Sequence, residues 1–285
     1  MHLLGRGIVA TPGDFGLSGE RPTHPGLLDW LAGDFVGHGW DLKRLVRQIL
    51  SSHAYRQSSA RREDLHRVDP ENMLMGRANL KRLDAESVRD SLLVAAGLLN
   101  PQLGGASLPV TENQEGKTVI GVRKIKDGLK AGVDSGRGDA NRRSLYIQMQ
   151  RNKPLNMLAT FDLPRMTPNC EIRPQTTVAT QSLWFMNDSQ MVDWSERMAE
   201  SIDGDLHDAI PWLEDLFVRL FASLPDKSDK KMCLRYLESQ TLQFIEDKDP
   251  IWQDQLSKDP TLARKRALAT LCQTLVASNR FLYID

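Results

Sequence analysis

From Met191 onward, apolar residues recur at the spacing of one face of an α-helix in four successive stretches, and this pattern constrains the chain more than any other feature. Met191, Trp194, Ser195, Met198, Ala199 and Ile202 form the first stripe. Leu206, Ile210, Leu213, Phe217 and Leu220 form the second, which Pro225 ends. Cys233, Leu237, Thr241 and Phe244 form a third behind Ser228 as cap, and Leu268, Leu271, Cys272 and Leu275 a fourth opened by Asp259-Pro260. Apolar residues at i, i+3, i+4 and i+7 bury one side of a helix. Neighbouring helices on short links suggest a bundle. The apolar ending Phe281-Leu282-Tyr283-Ile284 is expected to dock on the core.

The N-terminal half carries the same signal less continuously. Thr23 as N-cap and Pro25 in the first turn predict a helix over 25–36, with Leu27, Leu28, Leu31 and Phe35 on one face. Asp41 caps a second over 41–52, with Leu42, Leu45, Val46, Ile49 and Leu50 inward and Trp40 packing on Leu45 as a hydrophobic staple. Leu83-Asp84 repeats the device for a helix over 84–99, with Val88, Leu92, Ala95, Ala96 and Leu99 inward until Asn100-Pro101 stops it. The later helices are expected near 189–202, 208–223, 228–246 and 260–278. Between Pro101 and Asn141 glycine is frequent and periodicity fades, apart from a β-like stretch at Thr118 to Lys126. This reads as an excursion made of a hairpin and a mobile loop. Ser144 to Gln150 alternates as a half-buried strand would. The fold class is therefore mainly α, a multi-helical bundle-like domain with a small β element. It reads as one domain over 1–285, with a possible sub-boundary near 101–141.

Composition excludes several classes. With 40% hydrophobic and 26% charged residues, the chain is an ordinary globular one. Its longest apolar run, Leu92 to Leu99, is far short of the roughly 18 residues a membrane span needs. The N-terminus lacks the features of a signal peptide, so as written the chain would stay in the cytoplasm. Cys170, Cys233 and Cys272 are too sparse for a disulfide framework or a zinc site and fit buried thiols. Lys+Arg and Asp+Glu balance at 37 each. Their distribution is uneven: Gly116 to Lys153 holds 10 basic and 3 acidic residues, and Asn187 to Pro260 holds 8 basic and 17 acidic. The asymmetry could orient the domain against a partner, and opposite solvated faces of one domain are the plainer reading.

Few residues carry chemistry. Glu20, His24 and Asp29 lie around one turn and helix start, where a carboxylate and an imidazole could act as acid and base. Pro22 and Pro25 prevent one helical face from presenting Glu20 and His24 together, and capping is the plainer role. Arg142 and Arg143 open the expected strand and could grip an oxyanion, or form an internal salt bridge to Asp162 or Asp188. A single composite site would face the arginines with Glu20, His24 or Asp29. Nucleic acid is disfavoured, because Tyr146 is the lone aromatic in the basic region. Asn187-Asp188-Ser189 matches a glycosylation sequon but reads better as a helix break with Asp188 capping the next helix. Cys170 sits in a Pro-bounded loop without a base that sequence can name. His53 is placed to meet helix C-terminal carbonyls, and Gly104-Gly105 is a turn. No metal-ligand spacing and no cofactor motif is read.

Ordered blocks add a resemblance. Gly5-Arg6-Gly7-Ile8-Val9, Asp14-Phe15-Gly16, Gly19-Glu20-Arg21-Pro22-Thr23-His24-Pro25 and Leu28-Asp29-Trp30-Leu31 come first. Tyr55-Arg56-Gln57-Ser58-Ser59, Asp69-Pro70-Glu71-Asn72, Arg82-Leu83-Asp84-Ala85-Glu86, Arg142-Arg143-Ser144-Leu145-Tyr146 and Phe281-Leu282-Tyr283 come after them. Together they resemble the planctomycete-type domain of unknown function, family 1553 of the domain-of-unknown-function series, over nearly the whole chain. The resemblance implies a C-terminal domain of larger exported proteins that carry a c-type cytochrome segment, and it implies no activity. The start falls inside the family's first block, so a preceding helix is expected to be missing. An apolar groove beside Leu3, Leu4, Ile8 and Val9 is expected in its place. Two functional readings result: a structural or interaction domain, or a hydrolase or redox-linked enzyme acting on polysaccharide-type substrates.

Overall fold

The computed structural model describes residues 1–126, 129–134, 139–164, 172–202 and 209–284, with backbone only at 125, 126 and 129–134. Among them are twelve α-helices: α1 (Pro25–Gly37), α2 (Leu42–Ser51), α3 (Glu63–Val68), α4 (Ala85–Ala95), α5 (Asn156–Thr160), α6 (Ala179–Asn187), α7 (Ser189–Glu200), α8 (Ala209–Phe221), α9 (Lys227–Glu246), α10 (Pro250–Lys258), α11 (Leu262–Val276) and α12 (Asn279–Leu282). The strands are β1 (Lys81–Arg82), β2 (Val110–Glu112), β3 (Thr118–Ile120), β4 (Val122–Lys126), β5 (Leu129–Asp134) and β6 (Tyr283–Ile284). The mainly α expectation holds. All seven helices read from periodicity are present, and α3, α5, α6, α10 and α12 are additions. The chain divides into two compact units. The first holds Met1–Arg82 with Ile172, Tyr283 and Ile284; the second holds Leu83–Pro168 and Arg173–Leu282.

In the second unit, α11 is the central post, packing chiefly on α7 and α9. Ala263, Ala267 and Ala269 line it, all buried, and small side chains there let neighbouring helices approach. Leu268, Leu271 and Cys272 fill the contacts, with Trp212, Leu213 and Phe217 of α8 and Leu237 of α9 around them. A second aromatic layer joins Phe161, Trp184, Phe185 and Trp194 by edge-to-face contacts with centroids 5.2–6.3 Å apart. Buried Cys233 and Cys272 carry free thiols, and burial pushes their pKa up to about 11 and about 12. Cys170 lies outside the described residues.

Local chemistry sets the helix starts. Asp84 accepts from Ser87 N at 2.9 Å, and Asp188 from Gln190 N at 3.1 Å, so Asn187 and Asp188 are the break expected between α6 and α7. At α9 the cap is Asp226 rather than Ser228. Asp226 accepts from Asp229 N at 2.7 Å while Asp229 accepts from Asp226 N, a reciprocal box that satisfies two amides where serine would satisfy one.

The excursion contains two antiparallel hairpins, β2–β3 and β4–β5, the second with a bulge at Lys124/Ile125. Gly121 joins them at φ 138°, a conformation open to glycine, and donates to Pro109 O at 2.8 Å. The expected mobile loop includes 127–128 and 135–138, outside the described residues.

The strand expected at 144–150 is absent. Ser144–Tyr146 is a 3₁₀ turn, followed by a single parallel bridge between Leu108 and Ile147. Its alternation misleads because Asp90 captures both Ser144 N and Ser144 Oγ at 2.7 Å, curling the backbone. Ile147 is buried, while Leu145 and Met149 are exposed.

The first unit is built differently. Asp41 caps α2 through Arg44 N at 3.0 Å, as expected. The N-cap of α1 is His24 instead of Thr23, whose amide and hydroxyl are both spent on Ile8 O. Trp40 is no staple. Its positive φ of 63° turns the ring away from α2 onto Phe35, and it stays 67% exposed. Polar loops hold the rest: Asn72, buried at φ 52°, donates to Arg77 O and Asn79 Oδ1, and Asn79 donates to Leu4 O. β1 pairs antiparallel with β6, so the C-terminal end does dock, as a two-residue ladder.

Candidate functional site

The residues singled out from sequence fall in both units. Glu20 is exposed and its amide donates to Thr11 Oγ1 at 2.9 Å. His24 is half-buried with Nδ1 2.9 Å from Thr23 Oγ1, and Asp29 is exposed on α1. These three belong to the first unit; Arg142 and Arg143 belong to the second.

Arg142 is buried, its two terminal nitrogens committed to backbone while its Nε has no hydrogen-bond partner among the described residues. Its guanidinium donates to the carbonyls of Ala106 (3.2 Å), Gln102 (3.4 Å) and Gly104, and it stacks 3.9 Å over the Tyr146 ring. Tyr146 in turn accepts from Gly104 N at 2.8 Å. The salt bridge to Asp162 or Asp188 considered from sequence is replaced by these carbonyls. Asp162 accepts from Thr176 and Asp188 caps α7. The 3₁₀ turn at Ser144–Tyr146 leads from Arg142 to the ring over which it stacks. Arg143 is half-exposed, its Nε 3.5 Å from Asp90.

The most buried cation in this region is one that sequence reading missed. Arg89, on the inward face of α4, donates to Arg142 O at 3.0 Å, Ser144 Oγ at 3.1 Å and Ala140 O at 2.5 Å, and lies 3.7 Å from Asp90. Loss of hydration lowers its pKa to about 10, with Asp90 opposing the shift. At physiological pH it stays charged. The available signal was position: Ala85, Val88, Arg89 and Leu92 share the buried stripe, where a cation needs built-in acceptors. This network pins the 139–147 segment to α4.

Beside it, a cavity of about 160 Å³ lies between the β2–β3 turn and the α6–α7 break, lined in part by Arg89, Asn113, Lys117, Trp184 and Asp188. Lys117 sits 3.5 Å from Asp188 and 3.4 Å from Glu115. Asp188 chiefly holds its pKa above the usual lysine range. These charges neutralise one another.

The larger concavity is in the first unit, an apolar groove of about 540 Å³. Its lining includes Leu3, Leu4 and Ile8 of the N-terminal segment, Leu27, Trp30 and Leu31 of α1, and Ile49 of α2. Arg6 is a charged member of its lining, and no carboxylate is among the lining residues. An ion pair from Arg44 to Asp34 fixes α1 against α2 and holds the Asp34 carboxyl below its ordinary pKa. Among the described residues, no side chain of α1, α2 or α3 is buried, and Val9 is the one buried apolar residue in 1–82. The groove expected beside Leu3, Leu4 and Ile8 is thus present. Among the described residues no cluster of three potential metal ligands occurs, and no helix is long and apolar enough to cross a membrane.

The chain belongs to the family described as "Protein of unknown function (DUF1553)", whose model matches residues 1–237. No curated protein and no solved structure matches it.

Proposed function

We propose that this member of a family without an assigned activity is an interaction domain whose first unit is completed by a further polypeptide surface. One observation carries the reading: α1 and α2, two helices without a buried side chain, line an apolar groove of about 540 Å³. A helix is stabilised by burying its apolar stripe against another element. Apolar surface gathered in one concavity marks a binding site, unlike scattered exposed side chains. A neighbouring domain of a longer exported protein, including the cytochrome-bearing kind the resemblance implies, is a partner of the required sort. The enzyme alternative on polysaccharide-type substrates rests on that resemblance alone.

The test is site-specific photo-crosslinking in cells. With benzoylphenylalanine at Leu27, in the groove, the expected result is one defined polypeptide adduct whose crosslinked peptide is identified by mass spectrometry. The same probe at Ile251, 73% exposed in the second unit, should give none. No adduct at Leu27, or the same pattern at both positions, overturns the reading.

A further inference from the structure

The cavity beside Arg89, in the second unit, has a chemistry that the interaction reading does not use. Its volume is about 160 Å³, and Val119, Ile120, Leu155, Met157 and Trp184 supply its apolar lining. Size limits the occupant, because a cavity of ~150 Å³ takes one benzene ring. A single six-membered ring matches the space, and a nucleotide is too large for it.

The polar members of the lining are more selective. Arg89 is 1% exposed, and its Nη1 and Nη2 are occupied by Arg142 O, Ser144 Oγ and Ala140 O. Its Nε has no acceptor among the described residues, so one N–H of a buried, charged group in the lining is left over. A buried donor is costly until an acceptor meets it, and a ligand carbonyl oxygen would do so. Asn156 and Gln190 are exposed members of the same lining, and their side-chain amides bond no described residue. Each offers one carbonyl and one NH₂ group, the complement of an adjacent N–H and C=O pair.

Charge and polarity exclude other ligands. The lining holds two cations, Arg89 and Lys117, and two carboxylates, Glu115 and Asp188. Lys117 is 3.4 Å from Glu115 and 3.5 Å from Asp188, and Arg89 is 3.7 Å from Asp90. An ionic ligand would therefore enter without an unpaired countercharge to receive it. A polyol would press hydroxyls against the apolar side chains, where they lack partners. We propose that this cavity binds a small, neutral, planar ring with a lactam edge. The ring faces lie against the apolar lining, and a carbonyl oxygen accepts from Arg89 Nε.

The experiment titrates the whole chain with α-pyridone, the simplest six-membered ring of this kind, and follows backbone amides by NMR. Saturable shifts are expected at Val119, Asn156 and Gln190, with a Kd of about 1 mM or tighter, as suits so small a ring. Toluene keeps the ring and lacks the carbonyl, and it should bind roughly tenfold more weakly. Benzoate and inositol should do no better than toluene. Gln190→Ala, at an exposed position, should weaken α-pyridone several-fold without moving the thermal transition. Val119→Trp fills the cavity and should abolish the shifts while circular dichroism is unchanged. Absence of saturable shifts, or shifts clustered outside the lining, overturns the inference. Tighter binding of benzoate or inositol overturns the neutral ring, and equal binding of toluene overturns the lactam edge. All of these results leave the Leu27 crosslink to stand or fall separately, since it probes the first unit.

Discussion

The two units show the same helix-forming rules leading to opposite outcomes. In α11 of the second unit, Ala263, Ala267, Leu268, Leu271, Cys272 and Val276 are all buried, because α7, α8 and α9 supply layers on the sides where its apolar residues point. In α2 of the first unit the stripe of Leu42, Leu45, Val46, Ile49 and Leu50 is at least as regular, and none of it is buried. What differs is the number of neighbours. Periodicity says which face of a helix wants company, and the topology says whether company is present. The second unit can be read as a packed scaffold and the first as a surface held in shape mostly by polar pins, such as the Asn72 and Asn79 loop and the Arg44–Asp34 pair.

Substitutions sharpen this contrast, beginning with the second unit's interior. Phe217→Ala should cost about 3–5 kcal/mol in denaturant unfolding, as buried aromatics do when truncated. Arg89→Met should cost somewhat less, about 2–4 kcal/mol, because it leaves the Arg142 and Ala140 carbonyls without their guanidinium donor while Asp90 keeps its bonds from Ser144. If Arg89→Met is neutral, the network is replaceable packing and the pinning of 139–147 must come from elsewhere.

Helix caps offer an internal control, since Asp41 and Asp84 do the same local chemistry in different units. Each alanine substitution should remove about 1 kcal/mol from its own helix. For Asp84 the loss should appear in global unfolding. For Asp41 it should appear as faster amide exchange confined to α2, with the global transition nearly unmoved. A global loss from Asp41→Ala would show that the first unit folds cooperatively with the second, and the contrast between scaffold and surface would fail.

Smaller again is Trp40→Ala. Despite the size of the residue, its cost should stay under about 1 kcal/mol, the worth of one edge contact to Phe35. Acid should separate the units last and least, through carboxylates that solvent still reaches and partly screens. Asp34 has a folded pKa below its ordinary value, chiefly through the hydrogen bond from Arg44. Its contribution is therefore present above the unfolded pKa and lost as pH falls through the folded one. Asp259, at the start of α11, is lowered from 3.8 to about 2, first by the Thr261 hydroxyl and then by Lys265. The α10–α11 junction should hold to about pH 2, whereas chemical shifts of α1 and α2 should move as Asp34 titrates. Titration of both carboxyls at unperturbed values would remove the pairing from either account.

The sequence by itself determined the mainly α class, seven helices within a few residues of their observed ends, the capping roles of Asp41, Asp84 and Asp188, and the buried thiols of Cys233 and Cys272. Each of these depends on spacing along one helix or on a side chain bonding its own next turn, so the information is local. The short helices α3, α5, α6, α10 and α12 escaped because they span too few residues for a periodic face to show. Tertiary structure alone decided the rest. Ser144–Tyr146 became a turn because Asp90, far back in the chain, captures its serine. Arg142 stacks on Tyr146 and grips three carbonyls because that turn brings them together, and Arg89 is tolerated in a core stripe because distant carbonyls converge on it. A groove beside Leu3, Leu4, Ile8 and Val9 was expected from sequence only through a family resemblance, and Val9 is absent from its lining. Its openness is set by which surfaces are absent opposite α1, and a pattern of apolar residues encodes the need for a partner without encoding whether the partner lies on the same chain.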